Sequence, residues 1–258
     1  MNSINKKVVI VTGAARGIGL ATSKLFLKNN FKVAMIDKDN KELKKIKLND
    51  LDYKTFSFDI SDLKANKKMI DEIYHWGKRI DVLVNNAGVA DFGKIETVSF
   101  DNWRKIMETN LDGSFLTSQN CIKHLKKTKG CIVNIASISG LRASTLRIAY
   151  GTSKAAVVHL TQQQASELGE FGIRVNCVSP GPVKTKLAMA VHTQDIINAY
   201  HDAIPLNRYG TELEIANGIF FLCSENASYI TGQNLSIDGG FEATGVGLPS
   251  LRKDSNEK

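Results

Sequence analysis

The chain has 258 residues, of which 43% are hydrophobic and 23% charged, and its formal net charge is +8. This composition is that of an ordinary globular protein, and the length fits one α/β domain better than two small ones. The basic residues alternate with acidic and apolar ones, so we expect no nucleic-acid partner. No apolar run reaches membrane-spanning length, and a first strand at Lys7 leaves no room for a signal peptide. The expected location is therefore cytoplasmic, with no membrane partner.

The cysteines and histidines give no sign of a metal site or a disulfide framework. The five histidines lack metal-ligand spacing, so no metal is predicted. The four cysteines are far apart and have apolar neighbours, which indicates buried free thiols in a reducing compartment. They are Cys121, Cys131, Cys177 and Cys223.

Short apolar runs alternate with helical patterns along almost the whole chain. Strands are predicted at 8–11, 31–36, 54–58, 81–84, 131–135, 174–178 and 234–237. Helices are predicted at 17–28, 63–76, 100–127, 150–170 and 212–223. Several strands are apolar throughout, which is typical of a parallel sheet covered on both faces. The pattern predicts a single α/β domain of the doubly wound Rossmann type.

Two stretches fall outside this alternation. Residues 180–204 lie between a strand and a helix and are predicted to be irregular, and an active-site lid would lie there. We therefore expect a domain spanning 1–240, with a substrate lid at about 181–210. Residues 241–258 are predicted to form a C-terminal tail.

A glycine-rich motif follows the first strand. It reads TGAARGIG over residues 12–19, with Gly13, Gly17 and Gly19 at the spacing G-x-x-x-G-x-G. Glycine lets the backbone approach a pyrophosphate closely, and the following helix offers its unpaired N–H groups and positive dipole end. The context of strand, loop and helix therefore predicts a dinucleotide-binding site.

The second strand ends at Asp37. A carboxylate there can accept hydrogen bonds from the adenosine ribose hydroxyls and repels a 2′-phosphate, which favours NAD over NADP. The alternative interpretation is that this Asp only begins the next turn. Arg16 and Lys38 could hold a 2′-phosphate, so NADP is kept as the less favoured cofactor.

These motifs, with NNAG at 85–88, Asn110, Ser137, YxxxK at 150–154 and Pro-Gly at 180–181, resemble the short-chain dehydrogenase/reductase family. The resemblance covers residues 7–240. It implies a seven-stranded parallel sheet, an NAD or NADP cofactor and a catalytic set of Asn110, Ser137, Tyr150 and Lys154. It also implies cofactor contacts from Gly13, Arg16, Gly17, Ile18, Gly19, Asp37, Asp59, Ile60, Asn86, Ala87, Gly88, Tyr150, Lys154, Pro180, Gly181, Val183 and Thr185.

The catalytic set suits hydride transfer between nicotinamide and an alcohol or ketone. Tyr150 and Lys154 are four residues apart on a helix and share a face. An adjacent ammonium is expected to lower the tyrosine pKa from about 10, which makes it a better general base. Ser137 at a strand end can hydrogen-bond the reacting oxygen. The amide carbonyl of Asn110 could hold a water that relays protons to Lys154.

Three other functions are compared with the same residues in mind: an acyl-carrier-protein reductase, a non-enzymatic NAD sensor and a sugar or polyol dehydrogenase. A 3-oxoacyl-(acyl-carrier-protein) reductase has the same catalytic set but mostly uses NADPH, which Asp37 disfavours. A non-enzymatic NAD-sensing member would usually lack Tyr150 or Lys154, and both are present. A neutral sugar or polyol dehydrogenase is the main alternative for the substrate.

Helices 100–127 and 150–170 carry more apolar surface than one sheet face needs. Because the family uses these two helices as one dimer contact, and the final strand and tail as a second, we expect a homotetramer.

The substrate pocket implied by the resemblance is rich in basic residues. It comprises Asp91, Phe92, Ser139, Leu141, Arg142, Ser144, Arg147, Lys184, Lys186 and Met189. In the similar 3-hydroxybutyrate dehydrogenases, the position of Arg147 carries a Lys that holds the substrate carboxylate. An Arg could grip a carboxylate, sulfonate or phosphate with two hydrogen bonds.

The match to those enzymes is partial. They have a His in place of Ser139 and a Gln in place of Ala90, which argues against hydroxybutyrate itself. The prediction is a small anionic hydroxy compound. The alternative places Arg142 and Arg147 on the pocket rim or at a subunit contact. Expected substrate contacts are Ser137, Ser139, Arg147 and Tyr150.

Overall fold

The computed structural model describes residues 6–48 and 52–245. It is built on a seven-stranded parallel sheet of order β3-β2-β1-β4-β5-β6-β7. The strands are β1 Val8–Thr12, β2 Lys32–Asp37, β3 Tyr53–Ser57, β4 Val82–Asn85, β5 Cys131–Ile135, β6 Arg174–Pro180 and β7 Asn234–Ile237. Every predicted strand is present to within two residues at each end, and the doubly wound fold is confirmed.

Helices cover both faces of this sheet. They are α1 Gly17–Lys28, α2 Asn40–Lys45, α3 Leu63–Gly77, α4 Phe100–Met107, α5 Gly113–Thr128, α6 Ile148–Leu168, α7 Lys186–Val191, α8 Gln194–Ala203 and α9 Glu212–Cys223. Successive residues of β1 show why its apolar run is continuous. Val9 and Val11 pack on the side of α1 and α9, and Ile10 packs on the side of α3, α5 and α6. Because both faces are covered, neither set of side chains can be polar.

The sheet order places a binding crevice above β1. From β1 the chain runs outward through β2 to β3, then crosses back to β4 on the other side of β1 and runs outward again to β7. At such a reversal the loops leaving the carboxyl ends of the two strands diverge, and ligands of doubly wound proteins bind in the gap. The glycine-rich loop after β1 and the loop after β4 therefore border the expected cofactor site.

One predicted helix differs in its interior. Residues 100–127 were expected to form a single α-helix, but a π-helical turn at Glu108–Asp112 separates α4 from α5. The chain stays helical across the turn, with Glu108 at φ −57 and ψ −45. Such turns in α-helices occur frequently at functional sites. This one contains Asn110, a predicted catalytic residue.

The prediction that 180–204 is irregular is wrong. This stretch contains α7 and α8. Each begins after a threonine whose hydroxyl accepts a backbone N–H of the first turn, from Ala188 to Thr185 and from Ile196 to Thr193. Threonine at this position offsets the unpaired N–H groups of a short helix.

Part of the predicted C-terminal tail lies within the described residues. Phe241–Gly245 belong to the described chain, and the remainder of the predicted tail, 246–258, lies outside the described residues. The boundaries of the domain and lid stay predictions. Among the helices of residues 6–48 and 52–245, none is both long enough and apolar enough to cross a lipid bilayer.

Candidate active site

The loop after β1 brings two stretches of backbone into contact. Gly13 has φ +64, and a Cβ on it would lie 2.8 Å from Cα of Ala87. A Cβ on Gly19 would lie 2.2 Å from the Gly13 carbonyl oxygen. Neither position can carry a side chain. In the described chain no side chain caps α1, which begins at Gly17, so its first N–H groups are available to an anion.

The loop after β4 is fastened to this glycine loop. The Asn86 side-chain amide donates to the carbonyls of Thr12 (2.9 Å) and Gly13 (3.1 Å). In return, the Thr12 hydroxyl accepts the backbone N–H groups of Asn86 and Ala87, both at 3.0 Å. The predicted contacts at Asn86, Ala87 and Gly88 therefore border the same crevice as the glycine loop, and they hold its geometry fixed.

The end of the crevice that is predicted to hold the adenosine carries carboxylates. One carboxylate oxygen of Asp37 accepts the Ala15 N–H (3.1 Å) and the other accepts the Asp39 N–H (3.0 Å). Each oxygen keeps a further lone pair for a ribose hydroxyl. Asp59 and Ile60 follow the neighbouring strand β3, and Ile60 is buried. This arrangement fits the predicted adenosine contacts.

The opposite end is formed by the segment that follows β6. It holds the predicted contacts Pro180, Gly181, Val183 and Thr185. A Cβ on Gly181 would lie 2.6 Å from Cβ of Asp238, so the chain passes there without room for a side chain. The Thr185 hydroxyl accepts the Ala188 N–H but keeps its own proton to donate. Val183 is buried and Ile18 is partly buried, and both pack against the same core.

The four predicted catalytic residues come together from three places. Ser137 follows β5, Asn110 lies in the π turn, and Tyr150 and Lys154 lie on α6. The Ser137 hydroxyl lies close to that of Tyr150 and favours its ionised form. The ammonium of Lys154 donates to the Ile135 carbonyl (2.7 Å) and lies 5.9 Å from the centre of the Tyr150 ring.

The electrostatics differ from the expectation in one respect. Burial raises the pKa of Tyr150, and the Ser137 hydrogen bond and the positive charge of Arg147 oppose this rise. Burial lowers the pKa of Lys154 to about 8. Lys154 was expected to lower the tyrosine pKa, but its ammonium is directed at the Ile135 carbonyl. The cation that favours tyrosinate in this geometry is Arg147.

Asn110 braces the site through its side chain. Its amide oxygen accepts the Val89 N–H (2.8 Å), and its nitrogen donates to the Val89 carbonyl (3.0 Å) and the Ser153 hydroxyl (2.9 Å). Ser153 in turn donates to the Tyr150 carbonyl (2.7 Å). The amide oxygen predicted to hold a relay water thus already serves Val89, and the water relay stays a prediction.

Arg147 lies beside the tyrosine. Its guanidinium stacks 3.8 Å from the centre of the Phe92 ring and 5.3 Å from that of Tyr150. No carboxylate of the described chain forms an ion pair with it. Leu146 precedes it with φ +62, a left-handed conformation that costs about 1 kcal/mol. The Leu146 carbonyl accepts the Gly93 N–H (3.0 Å), which fixes this bend.

Comparisons with known proteins agree with this geometry. A family model described as Enoyl-(Acyl carrier protein) reductase matches residues 13–242. Meso-2,3-butanediol dehydrogenase of Serratia marcescens is 37% identical over 242 residues, which are 93% of this chain and 96% of the relative. NAD-dependent glycerol dehydrogenase of Listeria innocua is 37% identical over 241 residues, or 93% and 95%. The chain belongs to the short-chain dehydrogenase/reductase family.

Solved structures place this dehydrogenase/reductase among oxidoreductases with bound nicotinamide cofactors. 4-Hydroxyisoleucine dehydrogenase complexed with NADH superimposes with a TM-score of 0.87 at 34% identity, covering 93% of this chain and all of the other. ElxO with NADP bound gives 0.88 at 32%, with the same coverage. The protein is an NAD(P)-dependent oxidoreductase acting on CH–OH groups. When bound, the nicotinamide accepts or donates the hydride, and the glycine loop and Asp37 fit such a dinucleotide.

Several of the residues expected in the substrate pocket contact other groups of the protein. One guanidinium nitrogen of Arg142 donates to the carbonyls of Phe241 (2.8 Å) and Thr244 (2.7 Å), with a longer contact to Glu242 (3.3 Å). Arg142 therefore fastens the C-terminal segment and is not a free cation in the pocket. The Ser139 hydroxyl lies 3.3 Å from that of Ser144.

Sequence reasoning missed an aromatic cluster in the lid. Nδ1 of His192 is hydrogen-bonded to the Tyr209 hydroxyl (3.0 Å). The His192 ring also stacks on Tyr200, and the Tyr200 ring contacts Phe241 edge to face. Burial raises the pKa of Tyr209 to about 12. The cluster joins α8 to the C-terminal segment. Its signal was the recurrence of His192, Tyr200 and Tyr209 in a stretch that otherwise looked irregular.

The thiols are free, as predicted. Cys121, Cys131 and Cys177 are buried, but Cys223 is only partly buried. No three His, Cys, Asp or Glu side chains within the described ranges are grouped so that they could hold a metal ion.

Proposed function

We propose that this protein interconverts a secondary alcohol and a ketone with NAD(H), and that Tyr150 is the general acid–base. The observation that carries the proposal is the meeting of three predicted catalytic side chains: the Ser137 hydroxyl lies near that of Tyr150, and the Lys154 ammonium lies 5.9 Å from the centre of the Tyr150 ring. Tyr150 gives a proton to the reacting oxygen in reduction and removes it in oxidation. Ser137 donates a hydrogen bond to the same oxygen, and Lys154 supplies positive charge behind the tyrosine.

The test is Tyr150→Phe. Positioned general acid–base catalysis contributes roughly 10²–10⁴-fold, so turnover should fall by about that factor while NADH still binds. The fully exposed Tyr229 provides a matched control, because Tyr229→Phe removes the same hydroxyl away from the site. Near-normal turnover in Tyr150→Phe, measured with cofactor saturating, would contradict the assignment.

For the cofactor we propose NAD in preference to NADP. The support is Asp37, whose carboxylate lies at the end of β2 with lone pairs left for ribose hydroxyls. The relatives bind either cofactor, so they do not decide between them. Asp37→Ala should narrow the preference, since it removes both the ribose hydrogen bonds and the repulsion of a 2′-phosphate. Equal efficiency of the wild type with NAD and NADP would refute the preference.

For the substrate we propose a small hydroxy compound with an anionic group. The support is Arg147, which stacks beside Tyr150 with no carboxylate partner in the described chain. A neutral diol or polyol is the second candidate, because relatives are named for butanediol and glycerol. A relative named 4-hydroxyisoleucine dehydrogenase acts, by its name, on a hydroxy amino acid.

The two candidates are separated by comparing hydroxy acids with their uncharged amides, in wild type and in Arg147→Ala. If Arg147 pairs with the anion in a desolvated site, removing either partner should cost about 2–5 kcal/mol in kcat/KM. The amides provide the control, since the substitution should change their kcat/KM little. Equal activity on acids and amides, unaltered in Arg147→Ala, favours the neutral candidate.

A third candidate is a 3-oxoacyl-(acyl-carrier-protein) reductase. The enzyme of that name from Aquifex aeolicus is 35% identical over 240 residues, 91% of this chain and 96% of the relative. NADPH-dependent reduction of a 3-oxoacyl thioester that exceeds NAD-dependent alcohol oxidation would favour it.

We also propose a cytoplasmic homotetramer. Phe115 on α5 and Ile148 on α6 are large apolar side chains that stay exposed in one chain, and burial in a partner would remove them from water. The chain mass is 28.3 kDa, so light scattering that gives only this value would refute the assembly.

A further inference from the structure

The arginine of the glycine-rich loop is held by an ion pair. A guanidinium nitrogen of Arg16 lies 2.5 Å from a carboxylate oxygen of Asp39. The other oxygen of Asp39 accepts the Glu42 N–H (3.1 Å), which caps α2. This backbone hydrogen bond, together with Arg16, keeps the pKa of Asp39 below its usual value. Asp39 is therefore anchored by its own helix and keeps Arg16 in one place.

The second cation near this corner is engaged in the same way. Lys38, next to Asp37, lies 3.6 Å from a carboxylate oxygen of Asp59. Arg16 and Lys38 are the two side chains that could pair with a 2′-phosphate on the adenosine ribose. Each is instead matched with a carboxylate, and the Asp37 carboxylate adds a further negative charge.

We propose that Asp39 is a second determinant of cofactor preference, which acts by holding Arg16 away from a 2′-phosphate. Arg is the side chain best suited to a phosphate, because its planar donors match the oxygens. With Arg16 paired to Asp39, NADP(H) meets the repulsion of Asp37 and gains no new hydrogen bond. The proposal rests on the NAD preference proposed above, and it divides that preference between two carboxylates.

This division predicts that the two carboxylates are coupled. Removing Asp37 alone relieves repulsion but leaves Arg16 bound to Asp39. Removing Asp39 alone releases Arg16 but keeps the charge of Asp37 beside the phosphate. Releasing Arg16 and removing the repulsion together allows the guanidinium to contact the phosphate directly. The gain in NADP affinity of the double variant should therefore exceed the product of the single gains.

The experiment measures equilibrium binding of NADP⁺ and NAD⁺ by isothermal titration calorimetry, without substrate. The variants are Asp39→Asn, Asp37→Asn and their combination. Asn is as good a helix cap as Asp, so α2 should keep its first turn. The matched control is Asp71→Asn, which removes a comparable exposed ion pair, with Lys123 at 2.9 Å, on α3.

The gain from releasing Arg16 is limited to what its exposed ion pair with Asp39 contributes, so Asp39→Asn should tighten NADP⁺ binding about three- to fivefold. NAD⁺ binding should stay within about twofold. Adding Arg16→Gln to Asp39→Asn should erase the gain. Equal changes for both cofactors, or a gain that survives Arg16→Gln, would overturn the role of Asp39. Equal wild-type affinity for both cofactors would refute the NAD preference instead, whatever Asp39→Asn does.

Discussion

Replacing Asn110 by Ala tests whether its side chain holds the site together. The side chain is fully buried and makes three hydrogen bonds, two to the backbone of Val89 and one to the Ser153 hydroxyl. A hydrogen bond contributes about 1 kcal/mol net to stability. In the variant, the buried groups that bonded to Asn110 are left without that partner, which adds to the cost. We expect Asn110→Ala to lower the free energy of unfolding by about 3 kcal/mol.

The measurement is urea unfolding followed by circular dichroism. Ser153→Ala removes one of the three bonds, together with the Ser153 bond to the Tyr150 carbonyl, and should cost about 1–2 kcal/mol. Asn198→Ala is the control, because Asn198 pairs with Gln194 on the exposed side of α8, and it should change stability by less than about 0.5 kcal/mol. If Asn110→Ala unfolds at the wild-type urea concentration, the three hydrogen bonds do not brace the fold. A loss of activity in that variant would then point to the proton relay.

Three further predictions concern the crevice, the lysine and the thiols. Gly19→Ala should weaken NADH binding by roughly 10- to 100-fold, because its Cβ would meet the Gly13 carbonyl at 2.2 Å. Gly169→Ala meets nothing within 4 Å and should bind NADH normally in the same fluorescence titration. Lys154 has a pKa of about 8 in the folded chain against an ordinary 10.5, so the unfolded chain binds more protons between these values. The free energy of unfolding of the wild type should therefore increase as the pH is raised from about 8 to 10.5. Urea unfolding of Lys154→Met should show no such increase. Burial raises the pKa of the Cys121 thiol, so Ellman's reagent should modify it only after unfolding.

The strands, and with them the place where the four predicted catalytic residues meet, could be predicted because burial leaves its mark on residue type. β1 is covered on both faces and reads as one apolar run from Val8 to Val11, and β5 departs from such a run only at the buried, hydrogen-bonded Asn134. The motif residues then meet because the carboxyl ends of parallel strands share one edge of the sheet. Tyr150 and Lys154 needed only the pitch of a helix to share a face.

Other features depend on details that a residue pattern does not contain. The π turn at Glu108–Asp112 is a change of hydrogen-bond register within a continuous helix, so its side chains still look helical. The helices α7 and α8 are short, and their sequence signals are the N-cap residues Thr185 and Thr193. The direction of the Lys154 ammonium is set by the Ile135 carbonyl, which is distant along the chain.

The π turn also bears on protein engineering. A regular α-helix drawn from Phe100 to Thr128 would rotate one half of the segment relative to the other by about a residue's worth of twist, roughly 100°. The Asn110 side chain would then no longer reach the backbone of Val89, even if every surrounding helix and strand kept its position. Idealised scaffolds contain no such irregularity. A designer who transplants the four predicted catalytic side chains onto such a scaffold must keep the π turn with them.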